Sequence, residues 1–273
     1  MIIADTLSPE AKQARFARIC REAMLERKTQ GEQGVGTLAE KWQHQIIKRY
    51  ISENSDDHEI PVSASRRFVS DVRVGNDAYE VQTGAFAPMV KKIAYYLEST
   101  DLTVTVVHPI AKELWISWVD YETEEISPRK KSPKHGSPAD LLAELYPLLH
   151  LLPHPRLRFR ILLLEAHDFK LLSNRRGQRK KGAQRYERIP LSLLDDIMLN
   201  TPSDFAQFLP VGLPSPFTVK QFSQATKIRG RDAYSAVRAL AALELVTPTD
   251  PIGRSMAFLV GTDQKSEKDC DQS

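Results

Sequence analysis

Apolar residues recur at helical spacing from the start of the chain. Ser8-Pro9-Glu10 supplies a capping hydroxyl, a first-turn proline and an acid, and Phe16, Ile19, Ala23 and Met24 then fall on one stripe. That pattern predicts a helix which "TQGEQGVG" (29–36) breaks. A second helix is expected over 37–53, where Leu38, Trp42, Ile46 and Tyr50 repeat every four residues, and a third over 86–100. Between them the period changes to two. "FVSDVRVGNDAYEVQTG" (68–84) alternates around Gly75-Asn76, a pair suited to a tight hairpin turn. "LTVTVVHPI" (102–110) and "LWISWVD" (114–120) predict two consecutive strands. "SPADLLAELYPLLHLL" (137–152) predicts a helix, and "RLRFRILLLEA" (156–166) a buried strand. Helices and strands mixed in this order imply an α/β or α+β core.

The hairpin holds the first candidate chemistry. With Gly75-Asn76 as the turn, Val74 pairs with Asp77 and Asp71 falls opposite Glu80. Alternation then sends Asp71, Glu80 and Gln82 to one face, and Val72, Val74, Tyr79 and Val81 to an apolar one. A turn at Asn76-Asp77 would instead set Asp71 opposite Gln82. In either register two carboxylates lie close enough to repel, and a hard divalent cation would relieve that repulsion. The competing expectation is a surface ribbon with both acids facing water.

Composition narrows the class. Of 273 residues, 41% are hydrophobic and 27% charged, as in ordinary globular chains. The apolar runs are too short to cross a bilayer, and the charged N-terminus lacks a signal-peptide core. Cys20 and Cys270 form neither a disulfide framework nor a zinc site, so a cytoplasmic location is expected. His150 and His154 have Pro153 between them, which argues against a helical zinc pair. No P-loop, dinucleotide-binding glycine pattern or G-x-S-x-G occurs. The net charge of +3 is small but unevenly placed. Arg129, Lys130, Lys131 and Lys134 lie in one polar stretch, and Arg175, Arg176, Arg179, Lys180, Lys181 and Arg185 in another. Trp115 and Trp118 are expected to pack in the core or at a sheet edge.

The region after the proline-rich stretch 201–218 has its own order. "TVKQFSQAT" (218–226) predicts a short helix capped by Thr218, with Val219, Phe222 and Ala225 inward. A turn leads to a longer helix with Ala233, Val237, Leu240 and Leu243 inward, and "LVTPTDPIGRSMAFLV" reads as a hairpin. This order resembles a winged helix-turn-helix domain. The resemblance implies that Arg229, Arg231, Tyr234, Ser235 and Arg238 lie on or beside a DNA-facing side, with Arg254 in the wing. Winged helices also serve as protein-docking modules, the alternative reading.

A helix with Glu40, a strand with Asp71, a strand with Glu80-Val81-Gln82, a lysine-rich helix and a hydrophobic strand follow one another. That order resembles the PD-(D/E)xK, or restriction-endonuclease-like, nuclease superfamily. The resemblance implies a mixed sheet flanked by helices. It assigns Asp71 and Glu80 to metal binding, Gln82 to the usual lysine position and Glu40 to the metal shell. Thr37 and Glu40 also form a capping box, which explains that glutamate on structural grounds. Gln82 offers dipoles where lysine offers charge, so Lys41, Lys91 and Lys92 are candidates to compensate. "EVQTG" and "RKKSPK" look like segments of a bacterial family of unassigned function.

The expected organisation is an N-terminal helix and linker (1–34), a restriction-endonuclease-like domain (35–200), a winged helix (201–260) and a disordered tail (261–273). The expected activity is Mg²⁺- or Mn²⁺-dependent DNA hydrolysis, with the basic stretches and Arg229, Arg231, Arg238 and Arg254 on DNA. The same resemblance admits a homodimer, and a nuclease fold that binds DNA without cleaving it is the alternative.

Overall fold

The computed structural model describes residues 4–29, 42–63, 68–120, 123, 125–172 and 184–261. Its helices are α1 (Pro9–Thr29), α2 (Trp42–Ile51), α3 (Val90–Ser99), α4 (Leu141–Glu144), α5 (Val219–Thr226) and α6 (Gly230–Ala242). The strands are β1 (His58–Pro61), β2 (Val69–Val74), β3 (Asp77–Val81), β4 (Thr103–Asp120), β5 (Lys130–Lys131), β6 (Leu157–Leu172) and β7 (Gln184–Leu199). Near the C-terminus come β8 (Phe217–Thr218), β9 (Val246–Ile252) and β10 (Ser255–Val260). The fold is mixed α and β, with a large mixed sheet flanked by helices. Among the described residues no helix is long and apolar enough to cross a membrane.

The chain forms two compact units that alternate along the sequence. The first holds residues 1–84, 102–137 and 159–198; the second holds 85–101, 138–158 and 199–273.

In the first unit the sheet runs β1-β2-β3-β4-β6-β7, with β5 paired to β4. β1, β2 and β3 pair antiparallel, whereas β3 and β4 pair parallel, Glu80 facing Val106 and Val81 facing Val107. A parallel pair requires a crossover, and the chain between the two strands includes α3. Ser8 starts α1 by accepting the Ala11 backbone N–H. Phe16 and Ile19 of α1 and Trp42, Ile46 and Tyr50 of α2 enter one core with Val72, Tyr79 and Val81 of the hairpin. Leu162 and Leu164 of β6 and Leu193 of β7 complete it.

That core also encloses a charge. Arg160 of β6 is fully buried and grips Asp196 of β7 through both carboxylate oxygens, at 2.6 and 2.7 Å, and also pairs with Asp5. Tyr50 donates to Asp196 at 2.8 Å, Tyr79 donates to Asp5 at 2.7 Å, and Lys12 lies 3.1 Å from Asp196. Burial opposes the Arg160 charge, but the hydrogen bonds and charge of Asp196, with Asp5, outweigh it and raise the guanidinium's pKa. Burial likewise opposes the Asp196 charge, yet Arg160, Tyr50 and Lys12 hold its pKa below the ordinary aspartate value.

In the second unit Phe217, Phe222 and Phe258 stack between α5 and the sheet β8-β10-β9. Thr218 and Gln221 form a reciprocal capping box at the start of α5. Gly230 begins α6 with φ +58°, a conformation that favours glycine. Ala233, Val237, Leu240 and Leu243 are buried. α4 and the turn Tyr146–Leu148 pack against α6, bringing the Tyr146 and Tyr234 rings to 6.3 Å.

Some local expectations give way. The two strands expected over 102–110 and 114–120 are one strand, β4, because Ala111-Lys112-Glu113 carries no turn chemistry and Pro109 already prefers extended backbone. The helix expected over 137–152 is only α4 between short 3-10 turns, with Pro147 unable to continue it. Ala225 is exposed rather than inward; α5 is short and Phe222 is its only fully buried residue. Trp115 and Trp118, expected in the core or at a sheet edge, are half-buried on β4. The tail beyond Gly261 lies outside the described residues.

Candidate functional site

Of the two possible hairpin registers, the structure has Val74 opposite Asp77 and Val72 opposite Tyr79, with Gly75-Asn76 as the turn. Gly75 has φ +60°, which such a turn requires. One further step along this ladder brings Asp71 alongside Glu80. The acids do not form an exposed ribbon. Glu80 is 3% exposed, held between β2 and β4, and the Asp71 side chain is 14% exposed.

The surroundings of Asp71 are specific. Its Oδ2 accepts the Val81 backbone N–H at 2.7 Å, which ties the carboxylate across to β3. The same oxygen lies 3.0 Å from His44 Nε2, on the first turn of α2. Gln82 follows β3 and is half-buried. Its N–H donates to the Val107 carbonyl at 2.9 Å, and His108 Nδ1 lies 2.7 Å from its carbonyl oxygen. The backbone that carries the carboxamide is therefore fixed to β4 from both sides.

His44 is the site residue that sequence reasoning does not reach. It lies off the Trp42–Ile46–Tyr50 stripe and reads as one more polar position on the helix. The available signal is its place four residues after Glu40. Glu40 and Lys41 lie outside the described residues. Lys91 is exposed and Lys92 lies 6.0 Å over the Tyr96 ring, both on α3 in the second unit.

Among the described residues, no group of three or more His, Cys, Asp and Glu side chains is gathered as a metal-binding set. Asp71 and Glu80 nevertheless supply hard oxygen donors, and Mg²⁺ is commonly bound by one or two carboxylates, waters and substrate phosphates. The donor chemistry therefore fits such an ion.

The basic candidates fall into three places. Arg129, Lys130, Lys131 and Lys134 are exposed in and around β5. Arg175, Arg176, Arg179, Lys180 and Lys181 lie outside the described residues, as does the Arg185 side chain. In the second unit Arg229, Arg231 and Arg238 are exposed at and along α6, and Arg254 sits in the tight turn between β9 and β10. Ser235 is buried, and Tyr234 lies beside Tyr146.

Comparison with known proteins gives one relative and one family model, neither with a described activity. An uncharacterized protein of Treponema pallidum (strain Nichols) is 26% identical over 227 residues, covering 82% of this chain and 86% of that protein. No solved structure matches the chain significantly. A family model described as "Domain of unknown function (DUF8091)" matches residues 41–200, the span that carries α2, the hairpin and all the long strands. With more than half of its length inside that match, the chain belongs to this family.

Proposed function

We propose that the first unit is a metal-dependent nuclease of the restriction-endonuclease-like kind, acting on DNA that a C-terminal winged helix helps to hold. The observation that carries this reading is the placement of Asp71 and Glu80 on adjoining strands, both withdrawn from bulk water, with Gln82 next along. The element order supports it: helix α2, the antiparallel strands β1–β3, the α3 crossover and β4 parallel to β3. The arrangement α5, α6 and the β9–β10 hairpin supports the winged-helix reading.

In this reading Asp71 and Glu80 hold Mg²⁺ or Mn²⁺. When bound, such an ion activates water and neutralises charge on the scissile phosphate. Asp71 is oriented by the Val81 N–H, with His44 Nε2 3.0 Å from the same oxygen. Gln82 directs its carboxamide to water or phosphate from a backbone anchored on Val107 and His108. His44 stands beside Asp71, in a site where the lysine of the superfamily pattern is replaced. Arg129, Lys130, Lys131 and Lys134 contact phosphates.

Cleavage of plasmid and linear DNA with added Mg²⁺ or Mn²⁺ tests the reading. Asp71→Asn and Glu80→Gln should abolish cleavage while leaving salt-sensitive DNA binding intact. A second reading, a nuclease fold that binds DNA without cutting it, is favoured by the lack of a three-ligand cluster among the described residues. Equal inertness of wild type and both variants, with binding retained, would establish that alternative and refute catalysis.

A further inference from the structure

β4 does not stop where β3 does. Their pairing ends at Val81 and Val107, yet β4 continues to Asp120, paired there with β5. From Val106, beside Glu80, to Trp115 the strand advances about 30 Å at roughly 3.3 Å per residue. This extension carries the cations already assigned to phosphates together with two tryptophans, for which the nuclease reading has no role.

Trp115 is half-buried and its ring is fixed across three neighbouring strands. Its Nε1–H donates to Glu165 Oε1 on β6 at 2.8 Å, and Ser192 of β7 donates to Glu165 Oε2 at 3.0 Å. The Arg129 guanidinium lies 4.6 Å from the ring centre, and Lys131 Nζ lies 5.9 Å from it. Three residues along, Lys170 of β6 lies 5.6 Å over Trp118. Cation–aromatic contacts occur about once per 70–80 residues in proteins. Three of them on two tryptophans of one strand are a local concentration. Arg129, Lys130, Lys131 and Lys134 are all exposed, and Lys131 pairs with the half-exposed Glu113 at 3.0 Å.

We infer that this extension is a single-stranded nucleic-acid track leading from the Asp71–Glu80 site. An unpaired base stacks at Trp115 with the Arg129 guanidinium, and the phosphates run past Lys130, Lys131 and Lys134. The Trp115 ring, its indole N–H already satisfied, and the Arg129 guanidinium 4.6 Å over it together form a flat platform on which a base can stack. Unpaired bases can use such a platform, whereas a duplex keeps its bases stacked on one another. The inference deepens the nuclease reading and rests on it for its direction toward the site, but its test is independent of cleavage.

The test is the anisotropy of labelled oligothymidylate, oligouridylate and a blunt duplex titrated with the full-length protein in EDTA. Trp115→Ala should weaken single-strand binding about tenfold or more, and Trp115→Phe should restore most of it. Arg129→Ala, at an exposed position outside the strands, should weaken it as well and reduce the salt slope by about 0.7, one single-strand phosphate's share. Preference for one single-stranded oligomer names DNA or RNA. Unchanged affinity in Trp115→Ala and Arg129→Ala, or equal losses on the blunt duplex, would overturn the track. Track binding with no metal-dependent cleavage would refute the nuclease reading alone.

Discussion

Replacing Arg160 by methionine tests whether the buried charge network organises the first unit. The guanidinium is wholly buried and makes three hydrogen bonds to Asp196 and Asp5, while its central carbon lies 5.4 Å from the Tyr50 ring centre. Methionine fills much of the volume but leaves Asp196, only 4% exposed, without its principal partner. Breaking a buried pair from one side costs roughly 3–5 kcal/mol. Tyr50 and Lys12 remain on Asp196, which places the expected loss at the lower end, about 3 kcal/mol. At about 2–4 °C per kcal/mol for a chain of this size, Tm should fall by roughly 6–12 °C. Urea denaturation of Arg160→Met, Asp196→Asn and the double variant supplies the assay. The double variant should lose clearly less than the two single losses combined, because removing the second charge relieves the uncompensated first. Strict additivity, or a Tm unchanged within error, would refute the account.

Acid should weaken the same network. Because the folded pKa of Asp196 is depressed, its contribution is complete above the unfolded aspartate value of about 3.9 and disappears as pH falls through the folded value. Asp196→Asn should therefore flatten the acid limb of a stability profile. Glu144 has the opposite sign: burial first, then Asp232, raise its pKa, so its charged form burdens the fold as pH rises. Glu144→Gln should raise Tm at pH 7 and leave it nearly unchanged near pH 4. Asp71→Ala removes the acceptor of the Val81 N–H and should cost about 1–3 kcal/mol by denaturation, whereas Asp71→Asn, which keeps an acceptor, should cost less. Cys20 is buried and its thiol is pushed up to about 12, so iodoacetamide at pH 8 should label it only after denaturation.

What could be read from the sequence was local. The hairpin follows from the alternation around Gly75-Asn76, which leaves two registers, and the structure takes the one with Gly75-Asn76 as the turn. The start of α1 follows from Ser8-Pro9-Glu10, and that of α5 from Thr218. What escaped depends on partners far apart in the chain. Arg160 sits inside an apolar strand, and only folding brings it to Asp5 and Asp196. His44 meets Asp71 through the packing of α2 on the hairpin, which helical periodicity alone does not encode. The continuity of β4 through Ala111-Lys112-Glu113 is hidden because the charged Lys112 and Glu113 interrupt the apolar pattern, although nothing there turns the chain. Trp115 shows the same limit, since its anchor Glu165 lies two strands on in the sequence.

The alternation of the two units has a consequence for cutting the chain. A fragment ending at 200 would contain the whole family match, yet residues 85–101 and 138–158 would lose 201–261, which belong to the same compact unit. α4 would lose the α6 surface against which it packs. Such a fragment should expose apolar surface and aggregate, and the C-terminal piece alone should fare no better. Domain dissection, the usual shortcut for assigning activities, is therefore ill-suited to this protein, and point substitutions in the intact chain are the sounder instrument.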